Sequence, residues 1–242
     1  MTNGTSTPPN RPKRFYQSAS VKETPEGWQV ELDGRPVKTP KRSALVLPTK
    51  ALAEAIAAEW QAQGASIDPH SMPLTKLANS TLDAVIGQEG LVRAEMTAFA
   101  GNDLLCYRAE SPERLRQLQH ERWDPLLTWV TERFGARLHS TNGIMPVKQA
   151  EECVARLGAA VDALDPFALA AGHVMTTLMG SAVLALAHLD GRLSAQEAWE
   201  AAHLDENFQI AQWGEDAEAK KRRASRNAEM LAAAEFYRLS RI

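Results

Sequence analysis

Cysteine is scarce in this chain of 242 residues, and the two that are present, Cys106 and Cys153, lie far apart. Neither belongs to a C-x-x-C pair or to a cysteine and histidine pattern with zinc spacing. The absence of such patterns argues against a disulfide-stapled fold, and free thiols fit a reducing compartment. The six histidines are scattered along the chain, so we predict no metal site.

An excess of charge of one sign is also missing. The chain has 27 Lys and Arg residues against 30 Asp and Glu residues, which gives a formal net charge of −3. No overall field would gather nucleic acid or an anionic membrane. A basic run from Lys220 to Arg226 covers most of a helix circumference without interleaved aromatic residues for base stacking. We therefore predict no nucleic-acid partner.

The common catalytic signatures are absent from the sequence. It contains no Gly-rich phosphate loop, no G-x-S-x-G turn and no H-E-x-x-H helix. Cys106 stands between Leu105 and Tyr107, a setting typical of a small buried thiol. The sequence predicts a protein that is not an enzyme and has no cofactor. A small-molecule enzyme with a cleft at a domain junction stays open as the alternative.

One long uncharged run needs an explanation, because residues 166–189 contain no Asp, Glu, Lys or Arg and are long enough to span a bilayer. Polar residues inside the run, such as His173 and Thr177, argue against a membrane span, and so does the Gly180-Ser181 pair. We predict buried core helices and no stable membrane insertion. A membrane-associated assembly factor is the alternative.

The amino-terminal part has the pattern of a small antiparallel sheet. Apolar residues alternate with polar neighbours at Trp28, Val30 and Leu32, and Asp33-Gly34 then offers a hairpin turn. A second turn is predicted at "TPEG", residues 24–27, and a further strand at "SALVLP". Residues 14–48 therefore read as a short β meander, preceded by a polar, proline-rich tail.

The periodicity changes to helical at Thr49, which is predicted to cap a first helix that ends at Gly64. Further helix starts are predicted at Ser111-Pro112, Asp124-Pro125, Asp165-Pro166 and a Ser194 to Glu197 capping box. They indicate seven or eight helices. We assign Trp60, Trp123 and Trp129 to the core.

These patterns predict an α+β fold, with a small N-terminal antiparallel β domain followed by a larger all-α domain. The predicted divisions are a disordered tail at 1–13, a β-rich domain with the first helix at 14–70, and a helical domain at 71–242.

The stretch "LDENFQIAQWGEDAEAKKRRASR", residues 204–226, combines acids, a tryptophan and bases. On one continuous helix, Leu204, Phe208 and Ala211 would form one apolar stripe, and Ile210, Trp213 and Ala217 a second. The helix is either buried between two neighbours, or its second stripe and the surrounding acids meet another protein. A tryptophan ringed by charges is typical of an interface hot spot.

Six segments resemble the successive motifs of a known family. They are "RFYQSASV", "DGRPVKTP", "AIAAEW", "MPLTKLANSTLD", "DLLCYRAESPERLRQLQHERWDPLLTW" and "AWEAAHLDENFQIAQWGEDAEA". In order and content they are similar to those of the assembly chaperone for the α subunit of F-type ATP synthase, from about Arg14 to about Phe236. This resemblance implies a small β domain before a helical one.

The resemblance also implies a function without catalysis. Members of that family bind the unassembled α subunit and prevent its aggregation until it meets the β subunit. The family's functional acidic position would fall in the "WGED" segment, at Glu215, Asp216 or Glu218. Together with the second stripe and its rim, the partner-binding residues expected here are Glu206, Ile210, Trp213, Glu215, Asp216 and Glu218. Because the start of the chain lacks an amphipathic Arg-rich presequence, a bacterial cytoplasmic member is expected.

Overall fold

The computed structural model describes residues 11–242 as a small sheet followed by helices. The strands are β1 (Ala19–Thr24), β2 (Gly27–Leu32), β3 (Arg35–Pro36), β4 (Val46–Leu47), β5 (Tyr107–Arg108) and β6 (Thr141–Asn142). The helices are α1 (Lys50–Gln61), α2 (Pro73–Ser80), α3 (Glu89–Ala100), α4 (Glu113–Phe134), α5 (Glu151–Asp162), α6 (Pro166–Met179), α7 (Ala182–Leu189), α8 (Ala195–Ala202), α9 (Leu204–Trp213) and α10 (Ala217–Leu239). The predicted α+β class is confirmed. The ten α-helices of the described residues exceed the seven or eight predicted.

The amino-terminal sheet has the predicted turns. Strands β1 and β2 pair antiparallel from Thr24 opposite Gly27 outward, and Asp33-Gly34 joins β2 to β3. Strand β4 also pairs with β2, at the end of β2 that β3 does not reach. Val30 and Leu32 of β2 are buried in the same core as the apolar face of α1, so α1 closes this side of the sheet.

Helix α1 begins as predicted and ends earlier. The Thr49 hydroxyl accepts the Leu52 N–H at 3.2 Å, which confirms the cap. The last helical residue is Gln61 and not a residue next to Gly64. The physical reason is the buried side chain of Gln63, whose amide donates to the Glu59 carbonyl and whose oxygen accepts the Asp68 N–H at 2.7 Å. These bonds turn the chain out of the helix.

Glu59 ties the first helix to the second. Its carboxylate accepts the N–H groups of Leu74 and Thr75, each at 2.8 Å, at the start of α2. The residue before α2, Met72, has no side-chain acceptor, so Glu59 supplies the missing cap. Burial raises the pKa of Glu59, while these hydrogen bonds act in the opposite direction. The predicted domain boundary at residues 70 and 71 is therefore crossed by hydrogen bonds, and the division stays a prediction.

The first ten residues of the predicted disordered tail lie outside the described residues. Residues 11–13, which the prediction included, are hydrogen-bonded to the chain after α1: the Ile67 N–H donates to Pro12 at 2.8 Å, and Lys13 forms a bridge with Ser66. The tail prediction therefore extended too far.

Two of the four predicted helix starts are right. Asp165 accepts the Phe167 N–H at 2.9 Å, and Ser194 forms the predicted capping box with Glu197. The start predicted at Ser111-Pro112 is one residue early, because Pro112 has extended backbone and α4 begins at Glu113. The start predicted at Asp124-Pro125 is wrong, since both residues lie within α4. The Asp124 carboxylate bonds to Arg108 and His120 instead of capping a helix, because α4 is held on both sides of Pro125 by buried Trp123 and Leu126.

The uncharged run folds into the buried helices α6 and α7, which separate at Gly180-Ser181. Within residues 11–242, no helix has the length and apolar character needed to cross a membrane. Of the three tryptophans assigned to the core, Trp123 is fully buried, and Trp60 and Trp129 are half-buried against the core.

Candidate functional site

The charged stretch at 204–226 forms two helices joined by an elbow, which we define as Gly214, Glu215 and Asp216. Gly214 has φ 81° and ψ 179°, a backbone conformation that is essentially restricted to glycine. Asp216 then caps α10 by accepting the N–H groups of Glu218 and Ala219, both at 2.9 Å. The projection of one continuous helix is therefore wrong, and Ala217 belongs to α10 and not to the second stripe.

The elbow gathers the residues expected to bind a partner, but three of their four acids already have partners within the chain. Glu206 pairs with Arg223 at 3.5 Å, and Glu218 pairs with Arg222 at 3.5 Å, the latter at the spacing predicted. Asp216 serves as the helix cap. Glu215 is half-buried, and within residues 11–242 its Oε1 atom has no hydrogen-bond donor.

Trp213, the last residue of α9, presents a large apolar side chain to solvent just before the elbow. It is 79% exposed at the carboxyl end of α9, and Ile210, three residues before it, is half-buried. Burying an indole ring away from water is favourable, and exposed aromatic rings are common in protein interfaces, so Trp213 remains the candidate contact residue that the sequence predicted.

A groove of about 860 Å³ lies next to the elbow, between α4, α8, α9 and α10. On α4, α9 and α10 the lining residues recur three or four apart, so each of these helices contributes one face, whereas α8 contributes most of its residues from 196 to 201. The lining includes Arg114, Leu118, Glu121, Arg122 and Pro125 of α4, Gln196, Glu197, Trp199 and Glu200 of α8, Leu204, Asn207, Phe208 and Ala211 of α9, and Lys220, Arg223, Ala224 and Asn227 of α10.

The two stripes of α9 have different environments. Leu204, Phe208 and Ala211 line the groove, whereas Ile210 and Trp213 do not. Helical geometry places Trp213 on the side of α9 opposite Leu204, because nine residues correspond to two and a half turns. The groove and the exposed tryptophan are therefore two neighbouring surfaces on opposite faces of one short helix.

A buried polar network holds α9 against α4. The amide of Gln119, which is fully buried, donates to Asp205 at 2.7 Å and accepts the Ala109 N–H at 2.8 Å. The indole N–H of Trp123 donates to the Ala201 carbonyl at 2.9 Å, and the Arg108 guanidinium lies 4.9 Å from its ring centre. These contacts position the groove.

Sequence reasoning missed this network. One signal was present, since Gln119 is a polar residue on the face of α4 that also carries Leu115, Trp123 and Leu126. A polar residue on an apolar stripe indicates a buried partner, but the partner, Asp205, is 86 residues away.

The groove carries more unpaired bases than unpaired acids. Among the described residues, no carboxylate lies within ion-pair distance of Arg114, Arg122, Arg192 or Lys220, all of which line the groove. Of its acids, Glu197 is engaged in the capping box and Glu200 accepts a hydrogen bond from Gln196 at 2.9 Å. Glu121 and Glu215 remain. Two lining acceptors, Glu215 Oε1 and Asn227 Oδ1, have no hydrogen-bond donor in the part of the chain that the structure describes.

Other chemical groups have structural roles. Asp103 is fully buried; burial raises its pKa to about 6, and its carboxylate accepts the Ser181 hydroxyl at 2.7 Å and the Val183 N–H at 3.0 Å at the start of α7. Burial raises the pKa of the Cys106 thiol to about 12, so it is protonated at neutral pH, as expected of a buried thiol. Within residues 11–242, no three His, Cys, Asp or Glu side chains form a metal-ligand cluster.

The alternative of an enzyme predicted a cleft at the domain junction. The groove described above lies entirely within residues 114–227, and a shallower depression of about 510 Å³ is lined by Ala98, Phe99, Asn102, Leu104, Tyr107 and Gly180. Neither cavity touches the predicted junction near residue 70.

Comparison with known proteins gives a consistent result. The family described as ATP12 chaperone protein matches residues 13–131. The mitochondrial protein Atp12 of Schizosaccharomyces pombe is 27% identical over 216 residues, which cover 84% of this chain and 74% of that protein.

Solved structures extend the likeness to the carboxyl-terminal helices. Atp12 from Paracoccus denitrificans is 44% identical with a TM-score of 0.91, and the match covers 95% of this chain and 99% of that one. The Atu1473 protein of Agrobacterium tumefaciens is 42% identical with a TM-score of 0.90, over 94% of this chain and 85% of that one. The structural likeness therefore includes the groove and the elbow, which lie mostly outside the family match.

Proposed function

This chain belongs to the ATP12 family of ATP synthase assembly chaperones, and we propose that it binds the unassembled α subunit of the catalytic sector and prevents its aggregation until α meets the β subunit. The choice of α comes from the family that the sequence motifs resemble. The observation that carries a holding function is the groove with its apolar floor and charged rim, next to the exposed Trp213.

Such a surface suits a chaperone for an orphan subunit. An unassembled subunit exposes apolar area that its neighbour normally covers, and this area drives aggregation. A protein that covers it for a limited time needs an interface of modest size with a polar rim, so that the proper neighbour can displace it. The charged residues around the elbow would fix the orientation and rate of encounter.

The client surface in this proposal includes Glu206, Ile210, Trp213, Glu215, Asp216 and Glu218. The exposure of Trp213 supports its inclusion, and the absence of a donor for Glu215 supports a role for that carboxylate. Glu206, Asp216 and Glu218 contribute through their positions on the rim, since each is already paired within the chain.

The direct test is aggregation of purified α subunit, followed by light scattering with and without the chain at equal molar ratio. The β subunit serves as the control client. Suppression that is selective for α is the expected result, together with an α complex in size-exclusion chromatography. Failure to protect α and to form a complex with it would contradict the proposed function.

A matched pair of variants locates the client surface. Trp213→Ala is expected to weaken the affinity for α by about tenfold or more, because it removes an exposed aromatic anchor. Phe15→Ala removes an aromatic ring of similar exposure, 73% against 79%, from the amino-terminal unit, and is expected to leave affinity unchanged. Equal effects of the two variants would show that the client surface is not confined to the elbow.

The same proposal places the protein where its client is found before assembly, which for a bacterial member is the cytoplasm. The S. pombe relative is named as mitochondrial. Fractionation of the native host, with detection of the untagged chain, is expected to recover it in the cytoplasmic extract. Recovery in another fraction would contradict this location.

A further inference from the structure

We infer that the groove between α4, α8, α9 and α10 receives an acidic, amphipathic helical segment of the client, with the apolar face of that segment on Leu118, Leu204 and Phe208 and its acids against the four unpaired bases of the rim. This inference rests on the proposed function and adds to it the chemistry of the bound segment. It assigns to the client a surface that is distinct from the exposed Trp213.

The shape of the groove favours a helix. On α4 the lining residues recur from Arg114 through Leu118 to Pro125, and on α10 they recur from Lys220 to Asn227. These spacings give two long walls, each about two turns or more, with α8 and α9 as the floor. Recognition of an amphipathic helix requires a trough of this kind, in which anchors at helical spacing meet apolar side chains.

The floor, together with Leu118 of the α4 wall, provides the apolar contact for the bound segment. Leu204 and Trp199 are buried, and Leu118 and Phe208 are half-buried with part of their surface toward the groove. The buried network of Gln119, Asp205 and Trp123 keeps this floor in place, so a segment would meet a preformed surface and little ordering would be required of the chaperone.

The rim determines the sign of charge of the segment. Arg114, Arg122, Arg192 and Lys220 have no carboxylate within ion-pair distance among the described residues, and they stand on α4, on α10 and at the start of the turn before α8. The unpaired acids of the groove are fewer, Glu121 and Glu215. Bases on opposite walls would attract a helix with carboxylates on both sides of its apolar face.

Two acceptors in the groove add a polar requirement. Among the described residues, no group donates to the buried oxygens Glu215 Oε1 and Asn227 Oδ1. A buried oxygen without a donor is unfavourable, and a rotation of either side chain toward the groove would let a side-chain amide or hydroxyl of the bound segment donate to it. The expected segment is thus acidic overall, apolar on one face, and carries a neutral donor toward the α10 wall.

Charge reversal on the full chain tests the sign. The groove variant combines Arg122→Glu with Lys220→Glu. The control combines Lys221→Glu with Lys38→Glu, which changes the net charge equally at two exposed positions that do not line the groove. Binding of purified α subunit is measured at low and high ionic strength. The groove variant is expected to bind about tenfold or more weakly and to lose most of its salt dependence, and the control to stay within about twofold of the unmodified chain.

A third variant, Glu121→Lys, is expected to bind α at least as tightly as the unmodified chain. If Glu121→Lys weakened binding and the groove variant did not, the segment would be basic and the inference wrong. If neither changed the affinity while α was still bound, the groove would not be the site, and the proposed function would stand without it. If the unmodified chain did not bind α, both the proposed function and this inference would be wrong.

Cross-linking identifies the occupant. Ala211→Cys places an exposed thiol in the groove, and Ser225→Cys places one on α10 at a position that does not line the groove. The native Cys106 and Cys153 are buried, so a maleimide photo-cross-linker reacts with the new thiol. Capture of one acidic peptide of α by Ala211→Cys, and not by Ser225→Cys, is expected. Capture of a basic peptide, or of a second copy of this chain, would overturn the inference.

Discussion

The α6–α7 hairpin and the α9–α10 elbow have the same local construction. In each, a helix ends at a glycine with positive φ, Gly180 or Gly214, and a side chain soon afterwards caps the next helix. The caps are Ser181 for α7 and Asp216 for α10. The sequence predicted a break for the hairpin at Gly180-Ser181, whereas it predicted one continuous helix through the elbow.

The two regions differ in their surroundings. Most of the hairpin is buried, and the polar groups at its turn are hydrogen-bonded. The Asp103 carboxylate accepts hydrogen bonds from the Ser181 hydroxyl and the Val183 N–H. The elbow follows directly after the solvent-exposed Trp213, Gly214 and Asp216 are themselves exposed, and Glu215 Oε1 has no donor among the described residues. A satisfied, buried turn stabilises the fold, whereas an unsatisfied, exposed turn is available to a partner. The hairpin should therefore dominate stability and the elbow should dominate binding.

The largest expected contrast is between Leu184→Ala in α7 and Trp213→Ala in α9. Leu184 is fully buried, so its truncation is expected to lower the free energy of unfolding by about 3 kcal/mol through lost burial and a cavity. Trp213→Ala is expected to change it by less than about 0.5 kcal/mol, because the ring is 79% exposed. Urea unfolding measures both. A loss for Trp213→Ala comparable to that for Leu184→Ala would remove the distinction between the two regions.

A second contrast compares two capping aspartates. Asp103→Asn is expected to cost about 3 kcal/mol, because the amide would place an N–H₂ group against one of the donors from Leu105, Ser181 and Val183. Asp216→Asn, at an exposed cap, is expected to change stability by only about a few tenths of a kcal/mol, since asparagine is an equally good cap. The measurement is again urea unfolding. Similar losses of stability in both variants would show that the buried hydrogen bonds of Asp103 do not stabilise the hairpin more than an exposed cap stabilises the elbow.

The buried carboxylate also predicts a pH effect. Burial raises the pKa of Asp103 to about 6, whereas an aspartate in an unfolded chain has a pKa near about 4. The folded protein holds this proton more tightly, so the resulting stability is complete below about pH 4 and is lost as the pH rises through about 6. The contribution of Asp103 to the free energy of unfolding should fall by about 2 kcal/mol over that range.

This pH effect is measured as a difference between variants. Urea unfolding at about pH 4.5 and about pH 6.5 is compared for the unmodified chain, Asp103→Asn and Asp216→Asn. The first and last should share the same decline, and Asp103→Asn should lack it. Cys106 does not interfere, since burial raises the pKa of its thiol to about 12. An identical pH profile in Asp103→Asn would show that burial does not raise the pKa of Asp103.

Sequence patterns predicted much of the local structure, including the hairpin break, but not the surroundings of either region. The α+β class, the sheet turns and the caps at Thr49, Asp165 and Ser194 depend on neighbouring residues, and these predictions were right. Asp124-Pro125 was misread as a helix start, because its carboxylate is used by Arg108, a residue that approaches from the chain before α4.

The groove was beyond sequence reasoning for a similar reason. Its walls combine residues near 114–126 with residues near 192–227, and a periodic pattern identifies one face of a helix without identifying what lies opposite. The sequence singled out residues 204–226 as a candidate partner surface, but the break at Gly214 was missed. The apolar stripes appeared continuous through a glycine whose conformation ends α9.

The smallest effects on the free energy of unfolding are expected from alanine substitutions at the two glycines, Gly180 and Gly214. In Gly180→Ala the new methyl group would contact no other atom, but alanine would adopt a left-handed conformation, φ 68° and ψ 21°, at a cost of about 1 kcal/mol. This turn has little freedom to rearrange, because the adjoining Ser181 is fully buried and donates to Asp103. Gly214→Ala faces a stricter conformation, but the exposed elbow can rearrange, so the global free energy of unfolding should change by less than about 0.5 kcal/mol. Hydrogen exchange distinguishes the two, since only Gly214→Ala should lose protection in the last turn of α9. If Gly214→Ala instead lowered global stability by more than Gly180→Ala, the elbow would be part of the cooperative core, and its availability to a partner would need another explanation.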